Sequence, residues 1–141
     1  MFFVVARVCF ALYRTFPVFG PLRASIAIIH RDHKILVIQR NDGRGVSLPG
    51  GIANPREGEE ATLRREVQEE TGMSVTTAEL EMRYSSRAEL PVNISVFRAQ
   101  VSGELKESWE GTPRWMSVEE FEPLLINSQR PLVELMKKIS A

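Results

Sequence analysis

The sequence predicts one compact domain of the α/β class, and three observations support this. Two runs rich in β-forming residues, 23–31 and 34–40, precede a stretch whose residues recur at helical spacing up to Gly72. Two further alternating runs, 75–84 and 93–101, follow that stretch and read as strands. With 141 residues, 43% of them hydrophobic and 26% charged, the chain suits a single domain and leaves no room for a second.

The first sixteen residues are almost wholly apolar and are interrupted by Arg7 and Arg14, whose spacing places both on one face of a helix. We expect an additional N-terminal apolar helix within residues 1–20, followed by the main domain at 21–141. Two arginines in fewer than about 20 apolar residues argue against a membrane span. The charges lie inside the apolar run rather than before it, which argues against a signal peptide. Three alternatives stay open: packing on its own domain, pairing with a second subunit as a homodimer, or lying at a membrane surface.

The first two β-rich runs, 23–31 and 34–40, are predicted to form a hairpin around a turn at residues 31–33. His30 and His33 flank this turn. They are interpreted as solvent-facing, because no partners at zinc-ligand spacing accompany them.

A loop and a short strand are predicted next. Residues 41–45 have the composition of a flexible loop, and residues 46–48 form the short strand after it. Arg40 and Arg44 are candidates for binding a substrate phosphate there, although surface arginines without such a role are common.

The region after the two later strands is predicted to contain a loop at 102–113 and two helices. Ser117 and Glu120 have the spacing of a capping box, which predicts a helix over 118–125. Apolar spacing predicts a final helix over 128–139.

Several glutamates of the central stretch are predicted to lie on one stripe of a helix. If Glu66 is placed at the origin of a helical wheel, Glu59 and Glu70 fall beside it and Glu69 lies about 60° away. Within this arc the pattern places no basic residue. Like charges at such spacing cost about 0.2–0.5 kcal/mol per pair, so the stripe favours a bound cation. Oxygen ligands of this kind suit Mg²⁺ or Mn²⁺ rather than zinc or copper.

A solvated acidic face is the alternative interpretation of this stripe. The context favours a site, because turn-forming residues surround the helix on both sides: Gly50, Gly51, Pro55, Gly58 and Gly72. A helix that merely faces water does not need turn-forming residues at both of its ends.

The same stretch resembles the sequence box of the Nudix hydrolase family. The box reads Gly, five residues, Glu, seven residues, Arg-Glu-aliphatic, one residue, Glu-Glu, one residue, Gly, aliphatic. Its fixed positions are occupied here by Gly51, Glu57, Arg65, Glu66, Val67, Glu69, Glu70, Gly72 and Met73. The resemblance implies an α/β/α sandwich with a mixed β-sheet.

The resemblance also implies site residues. Glu66, Glu69 and Glu70 would be the catalytic and metal-binding carboxylates, and the carbonyl of Gly51 would complete the coordination. Whether Glu66 is a metal ligand or the base that activates water stays open, because family members divide these tasks differently.

Supporting residues follow from the same resemblance. Glu57 and Arg65 would brace the loop and the helix structurally. Many members take one more acidic ligand from the loop before their tryptophan strand; of Glu104, Glu107 and Glu110, we choose Glu110, with a solvated loop carboxylate as the alternative.

Trp115 is another candidate for substrate binding. Its indole is interpreted either as part of the core or as a surface that stacks on a base. Of these two roles, the core is the favoured interpretation.

The predicted function is a hydrolase that requires Mg²⁺ or Mn²⁺ and cleaves the diphosphate linkage of a nucleoside diphosphate derivative, with a nucleoside triphosphate as one candidate. Lysine plus arginine equal aspartate plus glutamate at 18 each, which favours a small nucleotide over a nucleic-acid polymer. The single cysteine, Cys9, is interpreted as a core residue and favours a reducing, cytoplasmic location. Two alternatives remain: a Nudix-fold module that binds nucleotides without turnover, and a membrane-peripheral hydrolase of a lipid-linked diphosphate.

Overall fold

The computed structural model describes residues 22–141. In chain order its elements are β1 (Leu22–Ile28), β2 (His30–Arg31), β3 (Lys34–Arg40), β4 (Val46–Ser47), β5 (Gly50–Ile52), α1 (Glu59–Thr71), β6 (Ser74–Ser86), β7 (Val92–Ser102), β8 (Gly111–Met116), α2 (Val118–Phe121), two 3-10 helices (Glu122–Leu124 and Asn127–Leu132) and α3 (Val133–Ser140). The predicted N-terminal helix and Cys9 lie outside the described residues. Within residues 22–141, no helix has both the length and the apolarity needed to span a membrane.

The strands form two sheets, one of them mixed. In the first sheet the order is β5-β1-β7-β6, with β1 parallel to β7 and antiparallel to β5. Strand β7 is antiparallel to β6. In the second sheet, β3 pairs in antiparallel fashion with β2, β4 and β8. The predicted α/β class with a mixed sheet is therefore confirmed.

Helices cover the strands from two sides, because the central strands are apolar on both faces. Side chains alternate between the two faces of a strand, so Ala27 and Ile28 of β1 enter different clusters. Ala27 packs with Leu63 and Val67 of α1 in one cluster. Ile28 belongs to a second cluster that also contains residues of α2 and α3. This arrangement is the predicted α/β/α sandwich.

The predicted hairpin between residues 23–31 and 34–40 is present only next to its turn. Strand β1 pairs with β5 and β7, and only His30–Arg31 pairs with the start of β3. The chain leaves the first sheet at Ile29, whose carbonyl accepts from the Leu36 amide at 2.8 Å. Both runs are buried on both faces, so their apolar pattern carries no information on which strand each one pairs with.

Three predicted boundaries also change. Residues 111–113 belong to β8 rather than to the loop, since Gly111 pairs with Arg40. The capping box at Ser117 is present, but α2 ends at Phe121 and a 3-10 turn continues to Leu124. The final helix begins as a 3-10 helix, Asn127–Leu132, that contains Pro131.

Candidate active site

Helix α1 is positioned at both ends by backbone geometry that the sequence predicts. The amide of Gly72 donates to Gln68 at 2.9 Å, and Gly72 has φ 75°, a left-handed conformation that ends the helix. At the other end, Thr62 Oγ1 donates to the carbonyl of Gly58 and to Glu57 Oε1, both at 2.9 Å. The helix therefore begins against the loop that follows β5.

Three carboxylates meet beside β5. Oxygens of Glu66, Glu70 and Glu110 all lie within 4.8 Å of one another. Glu66 and Glu70 come from successive turns of α1, whereas Glu110 comes from the loop directly before β8. Their side chains are largely removed from solvent, with 9% of Glu66 and 4% of Glu70 exposed. Glu70 Oε1 also accepts from the Gly50 amide at 3.2 Å.

Burial and mutual repulsion change the acidity of this cluster. Burial, followed by the charges of Glu110 and Glu66, raises the pKa of Glu70 well above its ordinary value. Burial also raises the pKa of Glu66, although the neighbouring Arg65 opposes that shift. The pKa of Glu110 is raised by burial and by the charges of Glu66 and Glu69. Because the three carboxylates resist being charged at the same time, they suit a divalent cation as ligands. A bound cation would take the place of the protons that they otherwise hold.

The backbone at Gly51 lies directly against the Glu66 carboxylate. A Cβ atom added to Gly51 would lie 2.5 Å from the Cδ atom of Glu66 and 2.7–2.8 Å from its oxygens. A Cβ atom at this position would therefore force the Glu66 carboxylate to move. The structure thus brings Gly51 to the cluster, while the ligand role of its carbonyl stays a prediction.

Arg65 links the cluster to the preceding loop. Its guanidinium donates to both carboxylate oxygens of Glu57 at 2.8 Å and to the carbonyl of Ile52 at 3.0 Å. It also donates to Glu66 Oε1 at 2.8 Å and to Glu69 Oε2 at 3.3 Å. Arg65 lies outside the predicted arc on the helical wheel, yet its guanidinium contacts two of the arc's carboxylates. Arg65 offsets part of the stripe's charge from its edge.

Two glutamates of the predicted stripe lie outside the cluster. Glu69 is not part of the group of three; its side chain is 59% exposed and contacts Arg65. Glu59 is turned to the β-sheet, where it pairs with Arg83 at 2.9 Å and accepts from Ser95. Glu59 shares a helix face with Glu66, but it lies two turns away and takes its partners from β6 and β7.

The predicted substrate-binding residues lie in two different places. Arg40 donates to Asp42 at 2.6 Å, and Arg44 is 66% exposed, with its Nε 3.9 Å from Asp42. Both arginines line a cavity of about 500 Å³. Trp115 packs against the cluster under α1, and the guanidinium of Arg31 lies 4.6 Å from its ring centroid.

The structure adds residues that the sequence reasoning did not select. Trp109 directly precedes Glu110, is 53% exposed, and its carbonyl accepts from Asn41 at 2.9 Å. Glu89, from the segment between β6 and β7, lines the same cavity as Arg40. A local pattern does not reveal either residue, because its neighbours in space are remote in sequence.

Comparison with known proteins agrees with this geometry. The family model of the NUDIX domain matches residues 20–136. A MutT-like protein of Streptomyces ambofaciens is 35% identical over 95 residues, which cover 66% of this chain and 61% of that protein. The matched region is thus about three fifths of that relative's length.

Solved structures give the same result. The solution structure of the E. coli ORF135 protein has a TM-score of 0.73 and 26% identity, covering 89% of this chain and 95% of that one. The crystal structure of a MutT NUDIX hydrolase from Burkholderia pseudomallei has a TM-score of 0.72 and 25% identity, covering 82% and 97%. A MutT protein from Methanosarcina mazei has a TM-score of 0.71 and 25% identity, covering 86% and 97%. The chain belongs to the Nudix hydrolase family.

Proposed function

We propose that this protein is a hydrolase dependent on Mg²⁺ or Mn²⁺ that cleaves the diphosphate linkage of a nucleoside diphosphate derivative, with a nucleoside triphosphate as one candidate substrate. The observation that carries the proposal is the group of Glu66, Glu70 and Glu110, whose oxygens lie within 4.8 Å of one another. Repulsion within this group is relieved when a divalent cation is bound. Family membership supports the same reaction.

Glu66, Glu70 and Glu110 would hold the cation, and Glu69 and the Gly51 carbonyl are the further ligands that the resemblance implies. A bound divalent ion would neutralise the phosphate oxygens and lower the pKa of a coordinated water. The proposed ligands differ in burial and in their hydrogen-bond partners. Glu70 accepts from the Gly50 amide and is buried, whereas Glu69 is exposed and accepts from Arg65.

The reaction transfers a phosphoryl or nucleotidyl group to water. A water oxygen bonds to one phosphorus, the bridging P–O bond breaks, and the bridging oxygen leaves with the other phosphate, so two phosphorylated products form. Glu66 would either hold the cation or take the proton from the attacking water. Arg65 donates to its carboxylate at 2.8 Å, which keeps the side chain oriented.

The cavity beside the cluster supports a nucleotide as substrate. Its volume of about 500 Å³ is within the range typical of small-molecule sites, about 300–1,000 Å³. Arg40 lies at its wall, and its guanidinium interacts electrostatically with Glu110. A phosphate chain held by the cluster thus has Arg40 nearby, with space beyond it for the rest of the nucleotide. We also propose a cytoplasmic location, which the single cysteine supports.

The proposal is tested by measuring phosphate and pyrophosphate release from nucleoside triphosphates, ADP-ribose, dinucleoside polyphosphates and sugar nucleotides. Each substrate is assayed with Mg²⁺, with Mn²⁺ and with EDTA. We expect turnover of at least one substrate, its loss in EDTA, and its loss in Glu66→Gln and Glu70→Gln. The matched control is Glu60→Gln, an exposed glutamate on the same helix, which should retain activity. Nucleotide binding without cleavage of any substrate would contradict the proposal and favour a binding module.

A further inference from the structure

Four residues form one row across the first sheet, on the face that carries helix α1. Their register runs from strand to strand: Gly51 of β5 pairs with Ser25 of β1, Ser25 with Ser95 of β7, and Ser95 with Arg83 of β6. Residues that pair directly across neighbouring strands share a face of the sheet. The row therefore faces α1, and the proposed chemistry uses only Gly51.

Three members of the row bind the first residue of α1, Glu59. The Ser25 hydroxyl donates to the main-chain carbonyl of Glu59 at 2.7 Å. The Ser95 hydroxyl donates to the Glu59 carboxylate, which also accepts from Arg83 at 2.9 and 3.0 Å. Hydrogen bonds from Arg83 and then from Ser95 lower the pKa of Glu59, so the carboxylate stays charged and continues to accept them. Three strands thus hold both the main chain and the side chain of one helix residue.

The fourth member of the row, Gly51, contacts the metal-binding part of the same helix. A Cβ atom on Gly51 would lie 2.5 Å from the Cδ atom of Glu66, so the two residues are already in close contact. Glu59 and Glu66 are seven residues apart, which corresponds to about 10.5 Å along a helix. Gly51 and Ser95 are two strands apart, which corresponds to about 9.5 Å across a sheet. The two contacts between α1 and the row therefore match in spacing.

We propose that Glu59 is a positioning residue for the metal site: held by Ser25 and Ser95, it sets the rotation and the axial position of α1, and with them the place of Glu66 in the carboxylate cluster. This inference rests on the proposed function. One residue of a helix corresponds to about 100° of rotation and about 1.5 Å of rise, so a small turn or slide at Glu59 displaces the carboxylates further along. A displacement of about 1 Å can slow an enzyme about 100-fold.

The competing explanation is that these contacts only stabilise the fold. The ion pair with Arg83 contributes little in either case, because the arginine side chain is 63% exposed and exposed pairs are weak. The serine contacts are buried, since Ser25 is 1% and Ser95 7% exposed. A purely stabilising role lowers the free energy of unfolding and leaves metal affinity unchanged. A positioning role lowers metal affinity beyond any loss of stability.

The central experiment uses the double variant Ser25→Ala/Ser95→Ala, which removes both buried contacts to Glu59 and keeps every residue of the carboxylate cluster. Calorimetry measures Mn²⁺ affinity, and urea unfolding in EDTA measures stability. We expect the double variant to bind Mn²⁺ about tenfold or more weakly than the wild-type protein. A crystal structure of the metal-free double variant should show the Glu66 carboxylate displaced from Gly51.

Two substitutions of Glu59 give an independent test and decide the matter if the double variant does not fold. Glu59→Gln retains an oxygen that accepts from Ser95, so it should bind Mn²⁺ nearly as tightly as the wild-type protein. Glu59→Ala removes that acceptor and should weaken binding. Rescue by glutamine assigns the effect to the hydrogen bond rather than to the charge.

Two controls separate position from stability. Ser85→Ala removes a serine hydrogen bond within the same sheet, to Asn93 at 2.7 Å, and leaves the contacts of α1 unchanged. Val133→Ala truncates a residue of α3 in the other core cluster, so it should lower stability without touching α1. Both variants should bind Mn²⁺ as the wild-type protein does.

Two results would overturn the inference. One is unchanged Mn²⁺ affinity in the double variant, or in Glu59→Ala if the double variant does not fold. The other is equal weakening in Val133→Ala, which would assign the effect to lost stability. In both cases the wild-type protein binds metal and hydrolyses nucleotides, so the proposed function stands. A wild-type protein that neither binds Mn²⁺ nor hydrolyses any nucleotide would overturn the proposed function, and this inference with it.

Discussion

Arg65 and Glu57 form a two-bond ion pair in which Nε and Nη2 of the arginine each donate to a different carboxylate oxygen at 2.8 Å. The hydrogen bonds from Arg65 lower the pKa of Glu57 to about 2, so this carboxylate stays charged throughout the neutral range. The pair ties the loop after β5 to the helix that carries Glu66. Arg65 therefore acts through Glu66, as a positioning residue.

Replacing Arg65 with lysine should weaken metal binding about 10- to 100-fold, which is the usual effect of losing a group that orients a metal ligand. Lysine keeps the charge but cannot bond both oxygens of Glu57 in one plane. Titration with Mn²⁺, followed by calorimetry, measures the effect. Arg98→Lys, which alters an exposed pair with Glu81, is the control and should bind Mn²⁺ normally. Equal affinities of both variants would show that Arg65 does not position the site.

The Gly51→Ala variant should disturb the site directly. Its Cβ atom would lie 2.5 Å from the Glu66 Cδ atom, so the carboxylate must move away from the cluster. We expect Mn²⁺ affinity to fall by about tenfold or more. Gly58→Ala is the matched control, because a Cβ atom there meets no atom within 4 Å. If Gly51→Ala bound Mn²⁺ as tightly as Gly58→Ala, Glu66 would not be a ligand in its present position.

Removing one charge from the cluster should stabilise the metal-free protein and impair the enzyme. Glu70 is 4% exposed and repelled by Glu66 and Glu110, so Glu70→Gln relieves the repulsion without changing the shape of the side chain. Thermal unfolding in EDTA should shift to higher temperature, while activity with Mg²⁺ falls on the order of 100-fold. A lower unfolding temperature in EDTA, or full activity, would contradict the account. Glu60→Gln again serves as the control.

The metal-free protein should lose stability as the pH rises above about 5. The pKa values of Glu66, Glu70 and Glu110 in the folded state lie above the ordinary 4.5, so the folded state holds protons that the unfolded chain has released. Their contribution is complete below 4.5 and disappears as the pH passes through the raised values. Urea unfolding at pH 5, 6, 7 and 8 in EDTA measures this decline. Saturating Mg²⁺ should remove it, and a stability that increases across this range in EDTA would oppose the prediction.

Gln129 should contribute to stability rather than to chemistry. It is 5% exposed, and its Oε1 accepts from the buried amide of Leu48 at 2.7 Å. Gln129→Met keeps the size but leaves that amide unpaired, which should cost about 1–3 kcal/mol in the free energy of unfolding. The difference is measured by urea unfolding of this variant and of Gln68→Met, a control substitution at an exposed position of α1. A change below about 0.5 kcal/mol would mean that the amide finds another partner.

Local sequence patterns predicted the strands and helices better than they predicted which strands pair with each other. The end of α1 was predictable, because a glycine at position 72 supplies the left-handed residue that stops a helix. The hairpin is shorter than predicted, because β1 pairs instead with β7, about seventy residues later in the chain. Sequence spacing alone does not encode that choice for strands buried on both faces.

In the candidate site too, local spacing predicted contacts within one helix but not contacts with other strands. Helical spacing correctly brought Glu66 and Glu70 together, because one turn of helix separates them. It did not indicate that Glu59 stays outside the cluster, because the partners of Glu59, Arg83 and Ser95, come from other strands. Glu110 was identified by resemblance to a family and not by any local spacing.

The central claim is that Glu66, Glu70 and Glu110 hold a divalent cation that the reaction needs. The most direct measurement is anomalous diffraction from crystals grown with Mn²⁺ at neutral pH. The account predicts an anomalous peak about 2 Å from carboxylate oxygens of these three residues, as expected for a small divalent ion with oxygen ligands. The absence of such a peak, with the three carboxylates turned away from one another, would contradict it.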